Sequence, residues 1–276
     1  MSGRDESLEN PAGDSAPDRF NDFVLRTVDL LLRERAGGGY DLNSYFTRDL
    51  AYGPGSERVR ANHPPLTMCV AAVTEVIIEA LNLYHRESGD ATPFRALPIR
   101  SWQRGSMQDI RAHIFQYDGA KCHGTAHALA RFGIGRLLPF EVLQPGDFIT
   151  MNRTSGNGHT AVFLGYIDRN YADLATYSSA AAGFKYFSAQ GKGSSDAGFA
   201  YRWAFFSPNC PAPVAGKRRD CGIIRSPKQE LLNTGCLLHP RAWSVHPPRD
   251  GLEADAGSST ELKPSDLSRY DGVTTD

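Results

Sequence analysis

The chain of 276 residues has no apolar run long enough to cross a membrane, for which about 18 residues are needed. It has no charge excess either. Thirty Lys and Arg stand against 31 Asp and Glu, a formal net charge of −1. No nucleic-acid partner and no membrane span are therefore expected. No internal repeat is visible, which argues against a solenoid. The first 18 residues hold no apolar core, so a standard secretory signal is not expected, and the cytoplasm of the producing cell is the default location. Cysteine is sparse, five residues in all, and forms no Cys-x-x-Cys pair. Zinc prefers four regularly spaced ligands, so no metal and no organic cofactor are expected. Cys210, Cys221 and Cys236 fall close together, and an oxidising compartment could join two of them, but the sequence does not choose the pair.

What is present falls into two halves. Phe20, Phe23, Val24, Val28, Leu31 and Leu32 recur at helical spacing, and the glycines at 37–39 stop that helix. After Pro64-Pro65, Thr67 sits where an N-cap belongs. Val70, Val73, Val76, Ile77, Ala80, Leu81 and Tyr84 then mark a long helix, with Glu75, Glu79 and Asn82 on its expected wet side. Further helices are read at Gln103–Phe115 and Gly124–Phe132. Beyond them the period becomes two. Strands are expected at Phe148–Asn152, His159–Ile167, Leu174–Ser178, Phe184–Ala189 and Phe199–Phe206, with a Gly-rich turn at Arg153–Gly158. In the second strand His159, Ala161, Phe163, Gly165 and Ile167 should share one side. Helices followed by antiparallel strands is an α+β order. The expected domains are a disordered tail over 1–18, a folded domain over 19–207 and a partly disordered extension over 208–276.

Cys69 lies in the first turn of the long helix. Free N–H groups and the positive end of the helix dipole favour a thiolate there, although small buried cysteines often only pack. His159 opens a strand after a turn, a place from which an imidazole can face a groove. A thiol and an imidazole are the two parts that a thiolate–imidazolium pair needs, with the imidazole later protonating the leaving amine. Cys122 is the alternative nucleophile, and Cys122, His123 and His127 are the weaker metal reading. Lys217-Arg218-Arg219 reads as a solvated turn, and Trp102, Tyr201 and Trp203 as core or groove aromatics.

The segments Pro-Pro-Leu-Thr-Met-Cys69-Val-Ala-Ala-Val, Leu143-Gln-Pro-Gly-Asp-Phe148 and Gly158-His159-Thr-Ala-Val-Phe-Leu-Gly-Tyr166 resemble the papain-like amidases and peptidases of the NlpC and CHAP type, over roughly residues 19–207. The resemblance implies a papain-like fold, helices packed on an antiparallel sheet, and a Cys69–His159 pair that cuts amide bonds in peptidoglycan peptides. It also implies a third polar residue that orients the imidazole. Gln190 is the first choice, Ser188 the second and Asp168 the third. The lack of a signal is similar to the antibacterial amidase effectors of type VI secretion, which implies export into a target periplasm and a cognate immunity protein as partner. A catalytically inactive binding module, or a deamidase or acyltransferase using the same pair, are the competing readings.

Overall fold

The computed structural model describes residues 18–102, 122–191 and 193–245. The expected helix over 103–115, the expected N-terminal tail save Asp18, and residues 246–276 of the expected extension lie outside them. Asp18 is tied down: its carboxylate accepts from Arg241 Nη2 at 2.6 Å.

Helix α1 spans Asn21–Arg35 and buries Val24, Thr27, Val28 and Leu31. Helix α2 spans Cys69–Ser88 and packs on α1. Two short helices follow, α3 at Thr92–Ala96 and α4 at Thr125–Arg131. The two-residue strands β1 (Gly37–Gly38), β2 (Leu50–Ala51) and β3 (Arg58–Val59) lie between α1 and α2. After α4 come β4 (Gly135–Leu137), β5 (Phe148–Asn152), β6 (Gly158–Ile167), β7 (Asp173–Leu174), β8 (Gly183–Gln190), β9 (Gly198–Phe206), β10 (Arg219–Ile223) and β11 (Leu232–Leu237). Nine of these form one sheet, ordered β1-β9-β8-β6-β5-β11-β4, with β10 beside β9 and β7 beside β6. All its pairings are antiparallel except β10 with β9. Helices packed on a largely antiparallel sheet make the molecule α+β. Among the described residues no helix is long and apolar enough to cross a membrane.

Five sequence expectations change, four of them within residues 19–207. Thr67 does not cap α2. The cap position is Met68, without a side-chain bond, because Thr67 Oγ1 donates to Tyr45 O at 2.8 Å. Glu75, Glu79 and Asn82 are buried rather than wet. The segment between α1 and α2 folds across that face and satisfies them. Thr47 donates twice to Glu75, from N at 3.0 Å and Oγ1 at 2.6 Å, Arg48 pairs with Glu79 at 3.0 Å, and Asn82 donates to Ala51 O at 2.7 Å. Alternation in β6 breaks at a register shift between Phe163 and Gly165, so Tyr166 joins Ala161 and Phe163 in one cluster while Ile167 packs elsewhere. The expected strand at 174–178 is only Asp173–Leu174.

The largest change is at the expected boundary after residue 207. Beyond it the chain returns to the sheet. Strand β11 is wholly buried, with Thr234 opposite Ile149 of β5 and Cys236 opposite Arg136 of β4. Its Asn233 and Thr234 are polar, but they can be buried because their side chains bond to Gln229 and Leu138 O. The folded unit therefore runs through β11 and is not closed at β9. At the other edge, Gly198 faces Gly38 across the β1–β9 pair, has φ +110° and leaves no room for a Cβ, which would overlap the Gly37 carbonyl.

Two apolar clusters lie on the two faces of this sheet. One joins α1 and α2 to Val162, Phe187, Ala189 and Phe199. The other joins Ile149, Met151, Ala161, Phe163, Phe184 and Tyr186 to Phe140, Phe206 and Ile223.

Candidate functional site

Cys69 is the first residue of α2, and its side chain is buried in the helix-side cluster. Its helix start is aimed at the beginning of β6. The backbone register of β6 with β8 ends at Val162–Phe187; beyond it Ser188 Oγ donates to Thr160 O at 2.7 Å. The Thr160 amide, the Tyr40 hydroxyl and the Val70 amide are the groups turned toward the sulfur, and all three favour a thiolate. Burial outweighs them and pushes the Cys69 thiol up. The same burial, with Cys69 beside it, pushes the Tyr40 phenol up, so it stays a donor. Tyr40 is a site residue that the sequence reading missed. It follows three glycines in a stretch without periodicity, and only the close pass of residues 40 and 67 brings it to α2.

His159 is the residue before Thr160, but successive strand residues point to opposite faces, so the sulfur lies on the helix side of the sheet and the imidazole on the other. No hydrogen bond joins the two side chains, and His159 Nε2 is buried without a partner. The ring packs edge-on against Tyr186, centroids 5.7 Å apart, among the residues of the second cluster. Burial, then the charge of Arg153, lowers its pKa to about 3 against a partial offset from Asp220. In this state both the thiol and the imidazole are neutral at pH 7.

Around the imidazole lies a charged network. Arg153 donates to both oxygens of Asp220, from Nε at 2.8 Å and Nη2 at 2.6 Å. Tyr186 Oη sits 2.9 Å from Asp220 Oδ2 and 2.8 Å from Gln190 Oε1. Burial works against the Asp220 carboxylate, but the Arg153 guanidinium holds it below the usual range. Asp220 was not legible as a site residue, because it lies in β10, inside the segment read as an extension.

The three sequence choices for the orienting residue fall in different places. Gln190 reaches the His159 ring through Tyr186, and its own carbonyl accepts from Arg202 at 3.2 Å. Ser188 is buried and committed to Thr160 O. Asp168 follows β6 at the opposite end from His159, about 30 Å along the chain at 3.3 Å per residue, and its side chain accepts from the Asn170 and Ala172 amides of a turn.

Cys122 is buried, and that burial pushes its thiol up to about 11. The His123 and His127 rings stack at 4.8 Å, and His127 Nδ1 accepts from the His123 amide. Among the described residues no three Cys, His, Asp or Glu side chains gather as a metal site. Trp102 is sealed in the core against Tyr52. Trp203 and Tyr201 carry Lys185 above their rings, and Lys217 lies over Tyr171 and Trp203. Cys210 and Cys221 form a disulfide, and Cys236 is a buried free thiol. A pocket of about 270 Å³ opens beside β4 and β11, lined by Leu138, Phe140, Pro227, Gln229 and Leu232, and includes none of the Cys69–His159 groups. No family model, curated protein or solved structure matches this chain.

Proposed function

We propose that the protein is a papain-like cysteine hydrolase that cleaves an amide bond, with Cys69 as nucleophile and His159 as base and then acid. The observation that carries the reading is the start of α2: a cysteine in the first helical position, facing the Val70 amide and the Tyr40 hydroxyl, beside the residue that follows His159. In attack, the imidazole must first turn from the other face of the sheet to the sulfur; the neutral ring then takes the thiol proton as sulfur adds to the carbonyl. The oxyanion that forms meets the Tyr40 hydroxyl and the helix-terminal amides, the C–N bond breaks as the imidazolium gives its proton to the leaving nitrogen, and a water deprotonated by His159 then hydrolyses the Cys69 thioester to the carboxylic acid and the free thiol. The reading therefore requires substrate binding to bring the two side chains together. Peptidoglycan peptides are the proposed substrate class, and delivery to a target periplasm with a cognate immunity protein is the proposed setting, both on the sequence resemblance.

A second reading has an observation of its own. Both Cys69 and His159 are buried, neutral and not hydrogen-bonded to each other. That favours an inactive groove that binds without cutting, or a site that opens only on a protein substrate, as a deamidase or acyltransferase would need. One experiment separates them. Purified sacculi are digested with the wild type and with Cys69→Ala and His159→Ala, and the fragments are weighed by mass spectrometry. The hydrolase reading expects new amine and carboxyl ends with wild type and a loss of at least about 10³-fold in each variant, the order seen when a nucleophile or its base is removed. Equal activity in Cys69→Ala would end it.

A further inference from the structure

The edge strand β10 carries two features that the reading above does not use. One is the carboxylate of Asp220. The other is the disulfide of the next residue, Cys221, to Cys210, with Cα atoms 5.5 Å apart. We propose that Asp220, fastened in place by the Cys210–Cys221 cross-link, is the positioning residue of the His159 imidazole and acts through Arg153 and Tyr186.

The argument begins with charge. The groups that face His159 come from four elements: Tyr186 from β8, Arg202 from β9, Arg153 from the turn after β5, and Asp220 from β10. Cys69 of α2 lies beyond Thr160. An imidazole that must accept a proton is opposed by two guanidiniums, Arg153 and Arg202. Arg202 is fully buried, donates to a neutral carbonyl and forms no ion pair with a described carboxylate. Asp220 is the one carboxylate in the group, and without it the imidazolium would face uncompensated positive charge. Gln190 cannot take this part. Its amide shares the Tyr186 hydroxyl with Asp220 but carries no charge.

Geometry adds the second step. Asp220 fixes both the guanidinium fork of Arg153 and the hydroxyl of Tyr186, and the Tyr186 ring is the surface against which the imidazole rests. Strand β10 runs beside β9, where its register slips between Asp220 and Ile223, and Arg153 bridges Ile223 from the segment that leaves β5. The cross-link falls at that slip and ties it to the segment that leaves β9. Cys210 is exposed and Cys221 half-buried, so a reductant can reach the bond. A dithiol would give two electrons and two protons, leaving two protein thiols and its own cyclic disulfide. The positioning role rests on the Cys69–His159 reading for its function, but it is measurable without any substrate.

The test uses the full chain with labelled histidine, in wild type, Asp220→Asn, Asp220→Glu and the Cys210→Ser/Cys221→Ser double variant. Two readouts are taken across pH: the His159 imidazole nitrogen resonances, and the rate at which iodoacetamide alkylates Cys69. The expected result is a displaced His159 signal and about tenfold slower alkylation at pH 7 in Asp220→Asn, with partial return in Asp220→Glu. Dithiothreitol should move the wild type in the same direction by about threefold, and should not move the double variant further. Unchanged His159 signals and alkylation in a folded Asp220→Asn protein would overturn the proposal. If that variant does not fold, reduced wild type decides instead, and identical reduced and oxidised profiles overturn it. A chain that hydrolyses no amide yet shows these shifts keeps the positioning role and loses the hydrolase reading.

Discussion

The two faces of the sheet handle buried polarity differently. On the helix face the carboxylate of Glu75 is buried among apolar residues and answered by neutral donors, the amide and hydroxyl of Thr47. On the other face Asp220 is answered by a full guanidinium charge. The first arrangement fastens a connecting segment to α2 and leaves the carboxyl easy to protonate. The second surrounds an imidazole and keeps its carboxylate ionised. Neutral donors suit a structural clamp; a charge pair suits a place where a proton must move.

The sharpest way to break this contrast is to remove one charge from the second face. Arg153→Ala leaves Asp220 buried and unpaired, and should lower unfolding free energy by about 3–5 kcal/mol, measured by urea denaturation. A loss under about 1 kcal/mol would mean that the pair is better solvated than its burial suggests. On the first face, Ile77→Ala opens a cavity among fully buried residues, and should cost about 2–5 kcal/mol with no change in Cys69 alkylation.

The pH response separates the faces further. Burial raises Glu75 from 4.5 to about 7. Between those values the folded chain holds a proton that the unfolded chain has lost. Stability from Glu75 is therefore full below pH 4.5 and falls as pH rises through 7, by about 3 kcal/mol at most. His159 runs the other way. Its pKa is lowered from 6.5 to about 3, so its contribution is full above pH 6.5 and is lost as pH falls toward 3. The two slopes oppose each other between pH 4.5 and 6.5. Asp147, raised by burial from 3.8 to about 6, works in the Glu75 direction, so Glu75→Gln should make stability rise more steeply with pH than in the wild type across that window. Denaturation midpoints of both chains at pH 4.5, 5.5 and 6.5 measure it, and identical slopes would refute the Glu75 assignment.

Much of this molecule follows from residue order alone. The apolar spacing of Val70 to Tyr84 demands a helix that starts near Cys69, and the alternation in Phe199–Phe206 demands a strand, because period and burial are local properties. The start of β6 at His159 and its entry turn were equally legible. The fate of Glu75, Glu79 and Asn82 was not. Their spacing describes a wet face, and only the packing of residues 47–53 over it makes that face dry. Strand β11 was hidden inside the expected extension, because its Asn233 and Thr234 are polar and become buried only when their side chains find Gln229 and Leu138.

The candidate site divides along the same line. Sequence sets the residue types, a cysteine at a helix start and a histidine at a strand start. Tertiary structure sets their company: Tyr40 beside the sulfur, and Arg153, Tyr186 and Asp220 around the imidazole. Asp220 lies 61 residues beyond His159 by number. A carboxylate acts on an imidazole through space, and that distance exists only after β10 has docked beside β9.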